Sequence, residues 1–160
     1  MAHSCYMAKT ELKSSKRMIV YTMSYIKRFK TKNYASVRRE AQFLNIAASH
    51  GLAPEVYDTD YKTYIEMEDL EDMNIGDLYA NEIENIPPNI IAGMYSIVWF
   101  LYYVCDIEYL DLWPRNFVER GNRVFILDFG DAKNKQKRCD KYLAKILKSG
   151  TITHWNPEFL

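Results

Sequence analysis

The stretch YLDLWPRNFVERGNRVFILDFGDA, residues 109–132, decides how this chain reads. It begins with Asp111 and Asn116, set in an irregular segment around Pro114. Gly121-Asn122 is a turn pair, and Arg123–Leu127 is an apolar run that reads as a strand ending at Asp128-Phe129-Gly130. Just upstream, Pro87-Pro88 open a long apolar stretch expected to be helical over 89–105, since proline is tolerated in a first turn. Its run from Ile90 to Val104 is short for a membrane span and holds three tyrosines and a serine, so it reads as a buried helix. Trp99, Phe100, Tyr102 and Tyr103 are expected to belong to the core of that helix.

Towards the N-terminus, residues 18–29 are rich in β-branched and aromatic side chains and read as one strand or two. Residues 35–49 place Val37, Ala41, Leu44 and Ala48 on one helical face, with Gly51 as the stop and Pro54 beyond it. Residues 55–58 and 63–67 read as two strands, followed by the acidic connector Glu66 to Asp72 and a short helix over 74–81. Towards the C-terminus, residues 133–141 form a basic, exposed stretch, and 140–148 a last helix. The expected architecture is α+β in two lobes. A small antiparallel-sheet lobe with one helix takes about 1–68. A reduced, mostly helical lobe with a small hairpin near 107–127 takes about 69–160, all within one domain.

The 160 residues carry 21 basic and 21 acidic side chains, so net charge gives no reason to expect nucleic-acid or membrane-surface binding. Local patches remain, and the basic stretch 133–141 could meet an acidic or phosphorylated partner. Cys5, Cys105 and Cys139 are odd in number and widely spaced, which argues against a disulfide framework or a zinc ribbon. His3, His50 and His154 are too scattered for a metal site. No signal-peptide core is evident at the N-terminus, and the expected setting is intracellular, cytoplasmic or nuclear, without a membrane.

Lys27 ends a strand, and Glu40 on the following helix is the only acid between Lys27 and Glu55. Glu40 follows Val37 by one helical turn and adjoins Ala41, which turns it towards the interior. Together with Asp111, Asn116 and Asp128 these residues suit phosphoryl transfer, which needs positioning and charge neutralisation more than covalent chemistry. A lysine held by a glutamate can clamp phosphates. Asparagine and aspartate oxygens can hold magnesium, and a separate aspartate can orient an attacking hydroxyl and accept its proton.

The order Lys27, Glu40, Asp111, Asn116, Asp128-Phe-Gly resembles the protein kinase-like superfamily. YLDLWPRNF (109–117) is similar to the catalytic loop and VFILDFGDA (124–132) to the magnesium-binding segment. GLAPEVY (51–57) resembles the link from the αC helix to the next strands, and YIEMEDL (64–70) the strand entering the hinge. Asp140 resembles the buried aspartate of the first helix after the activation segment. The resemblance covers about residues 18–148. It implies ATP and magnesium as cofactors, with Lys27 paired to Glu40 and the phosphates and Asp111 as catalytic base. Asn116 and Asp128 would be metal ligands, Met67 the gatekeeper, and Glu68 to Leu70 the adenine-facing backbone. The implied acceptor is Ser/Thr of a protein. The thirty residues after Gly130 hold no APE segment and no later helices of the second lobe. That is similar to minimal atypical kinases, such as the RIO family, the small kinase of the KEOPS complex and short kinase-like chains of large DNA viruses.

Departures from the pattern support a second expectation, a pseudokinase acting as a binding or scaffold module with a regulatory protein partner. A small-molecule phosphotransferase of the aminoglycoside or choline type is a third, though that type usually has a larger helical lobe. The first glycine is Gly51, so the phosphate-approaching segment would be TELKSSKR (10–17), with Ser14 and Ser15 in place of glycines. The histidine before the catalytic aspartate is Tyr109, which could still pack on Phe129, and the following lysine position is Trp113, with Arg115 as a nearby substitute cation.

Overall fold

A computed structural model describes residues 5–11, 19–30 and 33–159. The chain is mixed α+β. Strands β1 (Cys5–Glu11), β2 (Ile19–Arg28), β3 (Val56–Thr59) and β4 (Tyr64–Glu68) form a four-stranded antiparallel sheet in the order β1-β2-β4-β3. β2 is a single strand rather than two. β1 is an addition to the expected strand–helix–strand–strand order. Its sequence, CYMAKTE, contains Ala, Lys and Glu, which are poor strand formers, so pairing with β2 rather than local preference makes it a strand. The expected phosphate-approaching residues Ser14 and Ser15 lie outside the described residues.

Helix α1 (Tyr34–Ser49) starts at Asn33, whose side chain accepts from the Ser36 N–H. It buries Val37, Glu40, Ala41, Phe43, Leu44 and Ala47. Its end is a Schellman motif: Leu52 N–H bonds to Ala47 O at 3.0 Å and Gly51 N–H to Ala48 O at 2.8 Å. Gly51 has φ +68°, the left-handed geometry that this stop requires. The expected helix over 74–81 shortens to α2 (Ile75–Leu78), because Ala80 and Asn81 turn to positive φ (57° and 61°).

Helix α3 (Pro88–Tyr103) buries Ile90, Ile91, Met94, Ile97, Val98 and Leu101 at three- and four-residue spacing. The aromatic group expected in its core is displaced outward. Trp99 and Tyr103 are exposed, and Phe100 and Tyr102 are half-buried. The aliphatic stripe already fills the inner face, and a helix turns only one stripe to the core. Among the described residues no helix is long and apolar enough to cross a membrane.

The small hairpin is narrower than 107–127. Strands β6 (Phe117–Arg120) and β7 (Arg123–Ile126) form it around Gly121-Asn122. β5 (Ile107–Glu108) pairs instead with β8 (Lys133–Asn134), closing the chain on both sides of the 109–132 stretch. Helix α4 (Lys141–Ser149) follows. Asp140 is its N-cap, half-buried, accepting from the Tyr142 and Leu143 N–H groups, so it is neither inside the helix nor fully buried.

One apolar cluster runs through the described residues, from Leu44 on α1 and Ile65 on β4 through α3 to Leu143 and Ile146 on α4. At Gly93 the space is closed: an added Cβ would lie 2.7 Å from Val124 Cγ2 and 3.3 Å from Val124 Cβ. Alanine is better than glycine in a helix by about 1 kcal/mol, but overpacking costs about 1–3 kcal/mol. Gly93→Ala is therefore expected to lower stability by about 1 kcal/mol in urea unfolding, and adding Val124→Ala to restore part of the loss. A stabilised Gly93→Ala protein would show that α3 and β7 do not meet this closely.

Candidate functional site

Lys27 lies on β2 opposite Ile65 of β4. Glu40 comes from the inner stripe of α1, where it shares burial with Val37 and Ala41. Asp128 follows the end of β7. Two consecutive elements and a segment 101 residues beyond Lys27 thus meet at one ammonium. Lys27 Nζ lies 2.5 Å from Glu40 Oε1 and 2.8 Å from Asp128 Oδ2, and 5.4 Å from the centre of the Phe29 ring. Asp128 Oδ1 also accepts the Gly130 N–H at 2.8 Å. The side chains of Lys27, Glu40 and Asp128 are 24%, 7% and 43% exposed, so the lysine and aspartate keep an open face.

Burial acts to lower the Lys27 pKa, but Asp128 and Glu40 outweigh it and hold the ammonium above its usual range. Two carboxylates share this one cation, and they part company. Burial and the neighbouring Asp128 together push Glu40 up more than Lys27 pulls it down. For Asp128, burial raises and the Lys27 charge and hydrogen bond lower, with the net below the usual carboxylate range.

Asn116 is the last residue of a short 3-10 turn, Pro114–Asn116, and Asp111 lies just before that turn. Asn116 Nδ2 donates to Asp111 Oδ2 at 2.7 Å and to Asp111 O at 3.1 Å. Leu127 N–H bonds to Asn116 O at 2.9 Å, which ties this turn to the residue before Asp128. Burial raises the Asp111 pKa; the Asn116 hydrogen bond opposes this, and Asp131 and Asp128 add to the rise.

An apolar stack lies beneath. The Phe129 ring is 5.7 Å from Tyr109 and 6.5 Å from Phe43 of α1, and Tyr109 is 6.0 Å from Phe117. The packing of Tyr109 on Phe129 matches the expectation from sequence. The Tyr109 hydroxyl is buried with no hydrogen-bond partner among the described residues, the Asn116 amide being turned to Asp111 instead. Burial drives its pKa well up.

Met67 and Leu70 are buried. The Glu68 carboxylate pairs with Arg120 at 2.8 Å, and Arg120 also approaches Asp72 at 3.7 Å, so the acidic connector is partly neutralised. The Glu68 N–H bonds to Glu55 O at 2.8 Å. Arg115 does not turn to Asp111. It pairs with Asp77 at 3.3 Å and donates to Asn81 Oδ1 at 3.2 Å, while Trp113 packs edge-on to Trp155.

The structure brings Lys27, Glu40 and Asp128 together, and Asp111 with Asn116 beside them. Met67, Glu68 and Leu70 stand on β4 and just after it. The direct Lys27–Asp128 bond, between residues 101 positions apart, had no local signal in the sequence, nor had the Arg120 clamp on Glu68. Among the described residues no three His, Cys, Asp or Glu side chains are arranged to hold a metal ion. No protein-family model and no curated protein matches the chain.

The Asp128 shift sets an acid limit. Its folded pKa lies below the ordinary 3.8, so the unfolded chain binds the proton first. The stabilisation is complete above 3.8 and is lost as pH falls through the lower folded value. Melting curves from about pH 6 to about pH 2 should therefore fall less steeply for Asp128→Asn than for the wild type. Parallel curves would mean that Asp128 gains nothing from Lys27.

Proposed function

We propose that the chain is an ATP- and magnesium-dependent phosphotransferase with a two-lobed protein kinase-like fold, transferring phosphate to Ser or Thr of a protein. The observation that carries this reading is the Lys27 ammonium held by Glu40 and Asp128, with Asp111 and Asn116 on a turn hydrogen-bonded to the same strand end. Both Lys27 and Asp128 keep an exposed side, which suits contact with a phosphate. Asp128 and Asn116 offer hard oxygen donors, and magnesium is commonly held by one or two protein groups plus substrate phosphates, so a sparse protein donor set fits it. Magnesium, when bound there, would supply charge neutralisation at the phosphates.

In this reading Glu40 orients the Lys27 ammonium, and the ammonium neutralises phosphate oxygens. Asp111, whose carboxyl is raised by burial, orients the acceptor hydroxyl and accepts its proton, held in place by the Asn116 amide. The buried Met67 and Leu70 belong to the wall beside which adenine would lie.

A second reading, a pseudokinase that binds a partner without catalysis, is favoured by specific observations. No glycine precedes Lys27, Trp113 is the residue that the resemblance sets against the family's phosphate-contacting lysine, and Arg115 is committed to Asp77 and Asn81.

Calorimetric titration of ATP, with and without magnesium, separates the two. Magnesium-dependent binding that Asp128→Asn weakens about tenfold or more is expected for the phosphotransferase. Asp111→Ala should keep nucleotide binding and lose phosphate transfer from labelled ATP to protein by about 10²–10⁴-fold. Absence of ATP binding at millimolar concentration would favour the pseudokinase, and full transfer by Asp111→Ala would overturn the assigned base.

A further inference from the structure

The chain is neutral, but its charge is not evenly spread. Residues 132–157 carry seven Lys and Arg side chains and one acid, Asp140. The Asp140 carboxylate is engaged in capping α4, at 2.8 and 3.3 Å from two backbone N–H groups. Lys133 pairs with the buried Glu108 and Lys135 with Asp106, each at 3.4 Å. Among the described residues, no acidic side chain forms an ion pair with Arg138, Lys141 or Lys145.

These cations converge. A groove of about 620 Å³ is lined by Lys133, Arg138, Lys141, Lys145 and His154, with Glu158 as its acid besides the capping Asp140. Lys141 and Lys145 are one helical turn apart on α4, a like-charge spacing that costs the free helix stability and that a bound anion relieves. Asn156, 3% exposed, also lines the groove and donates from Nδ2 to Leu110 O at 3.0 Å. The groove therefore borders the residue that precedes Asp111.

We propose that this groove binds a phosphoserine- or phosphothreonine-bearing segment of a partner protein. A phosphate monoester carries about −1.5 to −2 charge and three acceptor oxygens in a compact group, which suits cations gathered around one hollow. Arginine, here Arg138, matches phosphate through its paired N–H groups. A nucleic-acid strand is the poorer occupant, because it needs a long basic track and open aromatic faces for stacking. The groove's aromatic side chain, Tyr142, is committed instead. Its hydroxyl donates to His154 O at 2.9 Å, and its ring packs edge-on to His154 at 5.4 Å. On the phosphotransferase reading above, on which this last step rests, the segment held here belongs to an acceptor already phosphorylated near its target residue.

The test is fluorescence anisotropy with a fluorescein-labelled peptide pool carrying one fixed phosphoserine between degenerate flanks, against the same pool with serine. The phosphorylated pool should bind about tenfold tighter or more, and Lys141→Gln/Lys145→Gln should abolish that preference. Lys148→Gln, on the same helix but outside the groove, should leave it intact. Circular dichroism of the double variant checks that α4 persists; should it not, Arg138→Gln, outside the helix, carries the same expectation. Equal binding of the two pools, or a preference that survives the groove variants, would overturn the proposal. Displacement of the phosphorylated pool by single-stranded RNA at lower concentration than by unlabelled phosphopeptide would likewise overturn it, in favour of a nucleic-acid surface. A phosphoserine preference in a protein that transfers no phosphate would sustain the groove and leave the phosphotransferase reading to fall alone.

Discussion

One ammonium holds three pieces of this chain in register. Lys27 bridges Glu40 on α1 and Asp128 after β7, so the four-stranded sheet, its helix and the hairpin segment share one electrostatic centre. Two carboxylates facing one cation cannot both be fully satisfied. Burial raises both, but Asp128 is brought below its usual range by the Lys27 charge and by hydrogen bonds from Lys27 and the Gly130 N–H, while Glu40, also repelled by Asp128, stays raised. Removing one partner of a buried ion pair is costly, about 3–5 kcal/mol when fully buried, because the other charge is left desolvated. The partial exposure of Lys27 and Asp128 makes the cost here smaller.

Packing fixes what charge alone would leave loose. Phe129 follows Asp128 directly and is fully buried between Phe43 of α1 and Tyr109. Its burial limits where the Asp128 carboxylate can sit. Tyr109 is also buried against Phe117, and the turn with Asp111 and Asn116 lies between these two rings in sequence. The Leu127–Asn116 backbone bond closes the loop. Polar groups at the surface of this site are therefore carried by a closely packed apolar base, the arrangement by which a fold holds side chains at set distances.

Charge is segregated on a larger scale. The basic segment 132–157 sits next to the turn carrying Asp111 through the Asn156–Leu110 bond, while acids gather at the connector and are partly met by Arg120. Under the proposed function, one chain of zero net charge would present carboxylates to a metal–nucleotide and cations to an acidic partner on adjoining surfaces. Net charge conceals such a division, which only the positions of the side chains disclose.

The sequence by itself determined the local elements with strong signals. The apolar spacing of 35–49 and the glycine at 51 predicted α1 and its end, Pro87-Pro88 predicted the start of α3, and Gly121-Asn122 the hairpin turn. It also placed Glu40 on the inner face of α1, because a helix has one apolar stripe and Glu40 falls within it. Tertiary structure decided the rest. β1 has weak strand preference and exists by pairing with β2. The aromatic residues of α3 lost the inner face to an aliphatic stripe of better spacing. β5 found β8 rather than the nearer hairpin. Arg115 turned to Asp77, and Lys27 reached Asp128 across 101 positions. Helix periodicity and turn chemistry act over a few residues and are written locally. Strand partners and ion pairs are chosen by which distant groups share a volume once the core has closed, and local spacing carries no record of that choice.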